Sequence, residues 1–175
     1  FNEYFMNLFG RGIFTIVTFM VVMYLGVITK HNKLSRKLMS VRGEISIIGS
    51  LLTLSHNVVF GVHYFPMVFT NPKAMPTRQL IASIITLCLL AMLIPLFITS
   101  FKSVRRKMSG KTWKKVQRMA YPFFIGIYVH IMVLYSADVK SHMTGIIVYS
   151  VVYISYVVLR LRKAVRSEEH TSELQ

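Results

Sequence analysis

The chain has 175 residues, of which 54% are hydrophobic, and its 21 Lys and Arg against six Asp and Glu give a formal charge of +15. Uncharged apolar runs of about 18 or more residues exclude an ordinary soluble domain and read as membrane spans. The charge does not mark a nucleic-acid binder, because 17 of the 21 cations fall in three blocks at 30–42, 102–118 and 160–166, with no aromatic-interleaved basic face.

In chain order, residues 1–11 are amphipathic and carry Glu3 and Arg11. No basic n-region precedes the first apolar run, so a signal peptide is not read here. The chain opens on Phe1 rather than on an initiator methionine, which places the expected true N-terminus upstream. Ile13 to Ile28 reads as the first span, and Lys30 to Arg42 as a basic loop in which His31 is solvated. Glu44 to Phe69 reads as the second span, with Pro66, Pro72 and Pro76 punctuating its exit. Gln79 to Ser100 reads as the third, kinked near its end by Pro95. Phe101 to Arg118 is a second basic loop, and Met119 to Ser136 a fourth span with Pro122 in its first turn, where a missing N–H matters least. A short polar loop, Asp138 to Ser141, leads to a fifth span from His142 or Met143 to Leu159, closed by Arg160, Arg162 and Lys163. Cys88, the one cysteine, lies in the middle of an apolar run, which excludes an intrachain disulfide and a cysteine metal site.

After Val165 the composition changes abruptly to RSEEHTSELQ, which holds three of the six acidic residues and His170. This string resembles the translation of a sequencing-adapter oligonucleotide, so residues 1–165 are taken as the domain and 166–175 as a non-native tail.

The three basic blocks occupy alternate connections and so share one side of the membrane, while the opposite side holds Arg11, Lys73, Arg78 and Lys140. The positive-inside rule makes the basic side cytoplasmic. The expected fold is all-α: a polytopic transmembrane helix bundle with five visible spans, N-terminus outside. One further upstream span gives six in the intact protein.

Two histidines lie deep in apolar runs. His56 is 14 residues after Arg42 and His130 is 12 after Arg118, so each is roughly 18–21 Å from the cytoplasmic edge at about 1.5 Å per residue. An imidazole at that depth is costly and is by default a functional hypothesis. Two at matched depth on separate helices can clamp one haem iron, as bundle cofactor sites are built from facing helices. Zinc fits less well, because no carboxylate or cysteine stands nearby. The plainer reading is that each histidine is a helix–helix hydrogen-bonding residue.

His63 lies seven residues after His56, on the same face two turns further out. It can ligate a second haem, hydrogen-bond a propionate, or sit at the outer interface beside Tyr64, and the interface reading is preferred. His142, at the outer loop, is a candidate partner for His63. Tyr149, Tyr153 and Tyr156 read as packing and interfacial aromatics, and the methionines as gap-fillers. No nucleotide fingerprint, nucleophile triad or carboxylate pair is present. The near absence of intramembrane carboxylates argues against an Asp/Glu-relay transporter.

The stretch TSFKSVRRKMSGKTWKKVQRMAYPFFIGIYVHIMVLY resembles the ferric-reductase-like transmembrane domain, a family that includes ferric reductases, NADPH oxidases and the haem-binding membrane subunit of the methionine sulfoxide reductase system. The residues that carry the resemblance are Thr99, Ser100, Trp113, Arg118, Tyr121 and His130, with Arg42, Gly43 and His56 as the earlier match. It covers about residues 40–135 well and the flanking spans loosely. The resemblance implies that His56 and His130 ligate haem b and that electrons pass from the cytoplasmic or membrane side to an acceptor on the outer side. Two-haem members carry a further inner pair of histidines, but Gln117 and Gly43 stand at those positions here, so one haem is expected.

The expected function is therefore a haem b transmembrane electron-transfer subunit of an oxidoreductase in a bacterial inner membrane. Arg42 and Arg118 are inner-edge anchors facing a flavin or quinone donor. A separate flavin reductase or a periplasmic redox protein is the expected partner, besides membrane lipid. The alternative is a non-haem membrane transporter or an assembly or scaffold protein.

Overall fold

The computed structural model describes residues 12–28 and 32–172, with side chains described through residue 166. The readings at residues 1–11, at His31 and at the side chain of His170 lie outside the described residues.

Eight α-helices are described: α1 (Ile13–Val27), α2 (Lys33–Ser40), α3 (Arg42–Thr70), α4 (Thr77–Ile98), α5 (Lys102–Arg106), α6 (Gly110–Gln117), α7 (Ala120–Tyr135) and α8 (Val139–Ser172), with a 3₁₀ turn at Pro72–Ala74. Four segments are long and apolar enough to cross a membrane: Arg42–Thr70, Thr77–Ile98, Gly110–Tyr135 and Val139–Arg166. They make this an integral membrane protein. Helix α1 is apolar but has 15 residues, about 22 Å of helix against a hydrocarbon core of about 30 Å.

The five apolar helices close a ring. Helix α1 packs on α3, α3 on α4, α4 on α7, α7 on α8, and α8 returns to α1. Inside the ring, Phe19 and Met23 of α1 meet Leu89, Leu93 and Leu96 of α4, Phe123 and Phe124 of α7, and Tyr153 and Tyr156 of α8. The ring of Phe124 stacks on Tyr153 with centroids 4.4 Å apart and meets Tyr156 edge-on at 5.0 Å. Tyr153 and Tyr156 are thus core packing residues, as read. Helices α4 and α7 approach closely at Gly126, where a Cβ would stand 2.7 Å from Leu89 Cδ2. The outward faces are apolar too: Val58, Val62, Ile94, Val151 and Ile154 are exposed, as is Cys88. Hydrocarbon is the solvent in which such faces are stable.

Several boundaries differ from the sequence reading, each for a local reason. The basic connections are largely helical. Asn32 caps α2 by accepting from the Ser35 N–H at 2.8 Å, and Ser109 caps α6 by accepting from the Thr112 N–H at 3.1 Å. At Pro66 the structure agrees with the reading of a span to Phe69, since α3 passes through it and continues to Thr70. A proline removes a single bond to the preceding turn, a loss membrane helices tolerate; in the turn that follows, the Thr70 hydroxyl donates to the Pro66 carbonyl at 2.9 Å. The helix stops at Asn71, whose backbone is pushed out of the helical region before Pro72 (φ −150°, ψ 66°). Pro95 lies in the last turn of α4, and the Thr99 and Ser100 hydroxyls satisfy the Pro95 and Leu96 carbonyls at 2.7 and 2.8 Å. The polar loop before α8 is shorter than read. Asp138 accepts from the Ser141 N–H at 3.1 Å and from its hydroxyl at 2.5 Å, so the helix already begins at Val139.

Candidate functional site

Helices α3 and α7 flank α4 in the ring, and His56 and His130 project from them into the space between. Both imidazoles line the same two adjoining cavities, of about 130 Å³ and 510 Å³. Asn57, Thr86, Leu134, Tyr135 and Tyr149 also line both. Spacing along the sequence places the two histidines at one depth, and the fold brings them to one compartment.

Helix α4 fixes the ring of His130. Nδ1 lies 3.3 Å from the Ala82 carbonyl and 3.2 Å from the Thr86 hydroxyl oxygen. A carbonyl only accepts, so Nδ1 carries the proton. The Thr86 hydroxyl donates to the same Ala82 carbonyl at 2.8 Å, which leaves its oxygen to accept from Nδ1. The tautomer is thereby set: Nε2 holds the lone pair. This is the arrangement of a metal-ligating histidine, whose other ring N–H goes to a carbonyl or carboxylate.

His56 is seated differently. Its ring lies against the start of α1 at Gly12, where a Cβ would stand 3.6 Å from Cε1 and Nδ1. Gly12 takes a left-handed backbone, φ 67°, which glycine adopts without strain. Phe60, one turn on, packs against the imidazole with ring centroids 5.0 Å apart.

The outer part of the larger cavity adds Gln79 and Ser83, which the sequence reading missed, and His142, which it reads as a partner for His63. His142 lines it alongside His56 and His130. Its Nδ1 donates to the Asp138 carbonyl at 2.8 Å, and its ring lies 4.5 Å from that of Tyr135. His63 is exposed on α3 and lines neither cavity, so the structure does not bring it together with His142. Gln79 also faces the larger cavity, and its buried Oε1 has no hydrogen-bond partner among the described residues. Gln79, Ser83 and Thr86 recur at helical spacing on α4, a polar stripe on an otherwise apolar span and the signal that could have found them.

At the opposite, basic end, Arg42 lines a separate cavity of about 360 Å³, together with Gly43 and Gln117. Arg118 is exposed and does not line it. The positions at which two-haem members of the resembled family carry inner histidines therefore face an inner compartment here, without an imidazole.

A haem needs axial ligands on opposite sides, a mostly apolar compartment and room for a drug-sized ring, about 300–1,000 Å³. Two imidazoles, from helices on either side of α4, line one cavity of about 510 Å³, which lies within that size range. Among the described residues no group of three or more His, Cys, Asp and Glu converges as a metal site.

No protein-family model matches the chain. No solved structure matches it. A protein of Treponema pallidum (strain Nichols), named as an uncharacterized protein, is 34% identical over 160 residues, covering 89% of this chain and 43% of that protein. The chain is thus similar, over most of its length, to less than half of a longer spirochaete protein.

Proposed function

We propose that the chain is a haem b-binding transmembrane electron-transfer subunit, with His56 and His130 as axial ligands. The observation that carries the proposal is the His130 imidazole. It lines the cavity it shares with His56, and its Nδ1 proton is committed to Ala82 and Thr86. Bound haem supplies one-electron chemistry by cycling its iron between ferric and ferrous states. The residues do the rest. The α4 carbonyl and hydroxyl hold the His130 ring in orientation. Phe60, Leu134, Tyr135 and Tyr149 exclude water from the compartment, and Gln79 and His142 offer polar contacts at its outer part.

In this reading α1 is a fifth span, the basic segments are cytoplasmic and the N-terminal side lies outside, in a bacterial inner membrane. The resemblance to ferric-reductase-like domains supports a single haem, a flavin or quinone donor on the basic side and a separate redox partner. A specific observation favours a second reading. The Nδ1 bond from α7 to α4 is also what a purely structural interhelical histidine makes, and a non-haem transporter or scaffold would carry it unchanged.

The test is an oxidised-minus-dithionite-reduced absorption spectrum of detergent-purified protein made with ample haem supply, beside His56→Ala and His130→Ala. A low-spin haem b spectrum lost in both variants is expected. A helical, monodisperse protein without haem would place the transporter or scaffold reading first.

A further inference from the structure

We propose that the inner cavity is a binding site for a phosphate-bearing amphiphile, whose anion is held by the guanidinium groups of Arg42 and Arg105. Its basis is independent of haem at the outer site. The cavity, about 360 Å³, lies where α3 begins and α4 ends, among the basic helices. Its inner wall is apolar, formed by Phe19, Leu96, Phe123 and Phe124. Its other wall carries three cations, Arg42, Lys102 and Arg105, and one carboxylate, Glu44. Glu44 is already taken, paired with Lys102 at 2.6 Å. Among the described residues no carboxylate pairs with Arg42 or Arg105, and both guanidiniums line the cavity beside its apolar residues.

Arg105 is stacked in place before any ligand arrives, and Arg42 packs close to the α1 backbone. Arg42 lies over Gly26, where a Cβ would stand 3.3 Å from its Nη2, so a larger residue there would crowd the guanidinium. Arg105 lies over the Trp113 ring at 4.3 Å from the centroid. Trp113 is anchored in turn by its indole N–H donating to the Thr99 carbonyl at 3.2 Å. Gln117 braces the same corner, donating to the Thr99 hydroxyl at 3.1 Å. Planar guanidinium forks match phosphate oxygens bidentately, and basic pockets between membrane helices on the cytoplasmic side suit anionic head groups. The apolar wall takes the body of the molecule. A lipid head group and a soluble phosphate ester share this chemistry.

Trp113 is the single tryptophan of the chain and lines the cavity, so it is the reporter. The full chain in dodecyl maltoside, which contributes no phosphate, is titrated at constant ionic strength with inorganic phosphate and, separately, with phosphatidylglycerol, and the indole emission is followed. A saturable change is expected with at least one probe. Arg42→Gln should weaken it about tenfold or more, the scale of losing a charge-assisted hydrogen bond. Saturation by inorganic phosphate identifies a free-anion source, and saturation by phosphatidylglycerol alone identifies a lipid head group. Should Arg42→Gln fail to keep its helical circular dichroism, Arg105→Gln is compared instead, by counting retained phosphatidylglycerol in native mass spectra. No saturable response to either probe, or an unchanged response in a folded variant, would overturn the proposal.

Discussion

Thr86→Val tests whether α4 orients the His130 imidazole. The substitution keeps shape and removes one oxygen. In the wild type the Nδ1 proton is shared between two acceptors, Thr86 Oγ1 at 3.2 Å and the Ala82 carbonyl at 3.3 Å. Both are at the long end of good N–H···O geometry, so neither alone is a full-strength bond. Losing a neutral hydrogen bond costs about 0.5–1.5 kcal/mol net. The Ala82 carbonyl remains, so the lower half of that range applies. The expected loss of haem affinity is about two- to fivefold, below the roughly 10–100-fold typical when an outer-shell partner of a metal ligand is removed. The assay is the rate of haem transfer to excess apo-globin, followed by the Soret band. Losing an acceptor also makes the imidazole less electron-rich, so the midpoint potential should rise. ¹⁵N shifts of the His130 ring in haem-free protein check the tautomer independently. A Nδ1 without its proton in the wild type, or haem loss in Thr86→Val as complete as in His130→Ala, would refute this account.

Two further outcomes follow from the geometry. Gly126→Ala would place a Cβ 2.7 Å from Leu89 Cδ2, and Leu89 lines the 130 Å³ cavity beside the histidines. The leucine tip should turn into that space, so stability falls by about 1 kcal/mol, the low end of overpacking costs, while the haem spectrum shifts; a large loss of stability with an unchanged spectrum would contradict this. Hydrogen bonds from the Ser141 hydroxyl and N–H hold the Asp138 carboxyl below its usual range. A depressed carboxylate stabilises the fold above its unfolded-state pKa, and that contribution disappears as pH falls through the lower, folded value. Amide exchange in the first turn of α8 should therefore accelerate below the ordinary carboxylate range in the wild type. In Asp138→Ala it should be fast and pH-insensitive beyond intrinsic exchange, and equal protection in both proteins would remove Asp138 as the cap.

The apolar runs are legible because a membrane helix needs a length of uncharged residues that few other structures require. The shared compartment of His56 and His130 is legible from depth alone, since both positions are counted from a basic edge that the membrane interface holds at one level. Depth says nothing about azimuth. By depth His142 pairs with His63, whereas it lines the cavity of His56 and His130; by depth Arg118 is an inner anchor like Arg42, whereas it points outward. Caps at Asn32, Ser109 and Asp138 are each readable as polar residues opening a helix, but the surrounding charge makes those stretches read as loops. The Thr86 hydroxyl and Ala82 carbonyl need the fold, because the residue they orient lies 44 and 48 positions away in the chain.

The two compartments divide the polar chemistry of the interior between them. The outer one holds three imidazoles and neutral hydrogen-bonding groups, with no Lys, Arg, Asp or Glu among its described lining residues, whereas the inner one holds cations and no imidazole. An imidazole titrates between a neutral and a cationic form, so it can stay uncharged in low dielectric. The guanidiniums stay charged and must remain near the headgroup region, where their desolvation is tolerable. Phe123 joins the two, lining both the inner cavity and the smaller histidine cavity, with Phe19 packed edge-on against it at 5.1 Å.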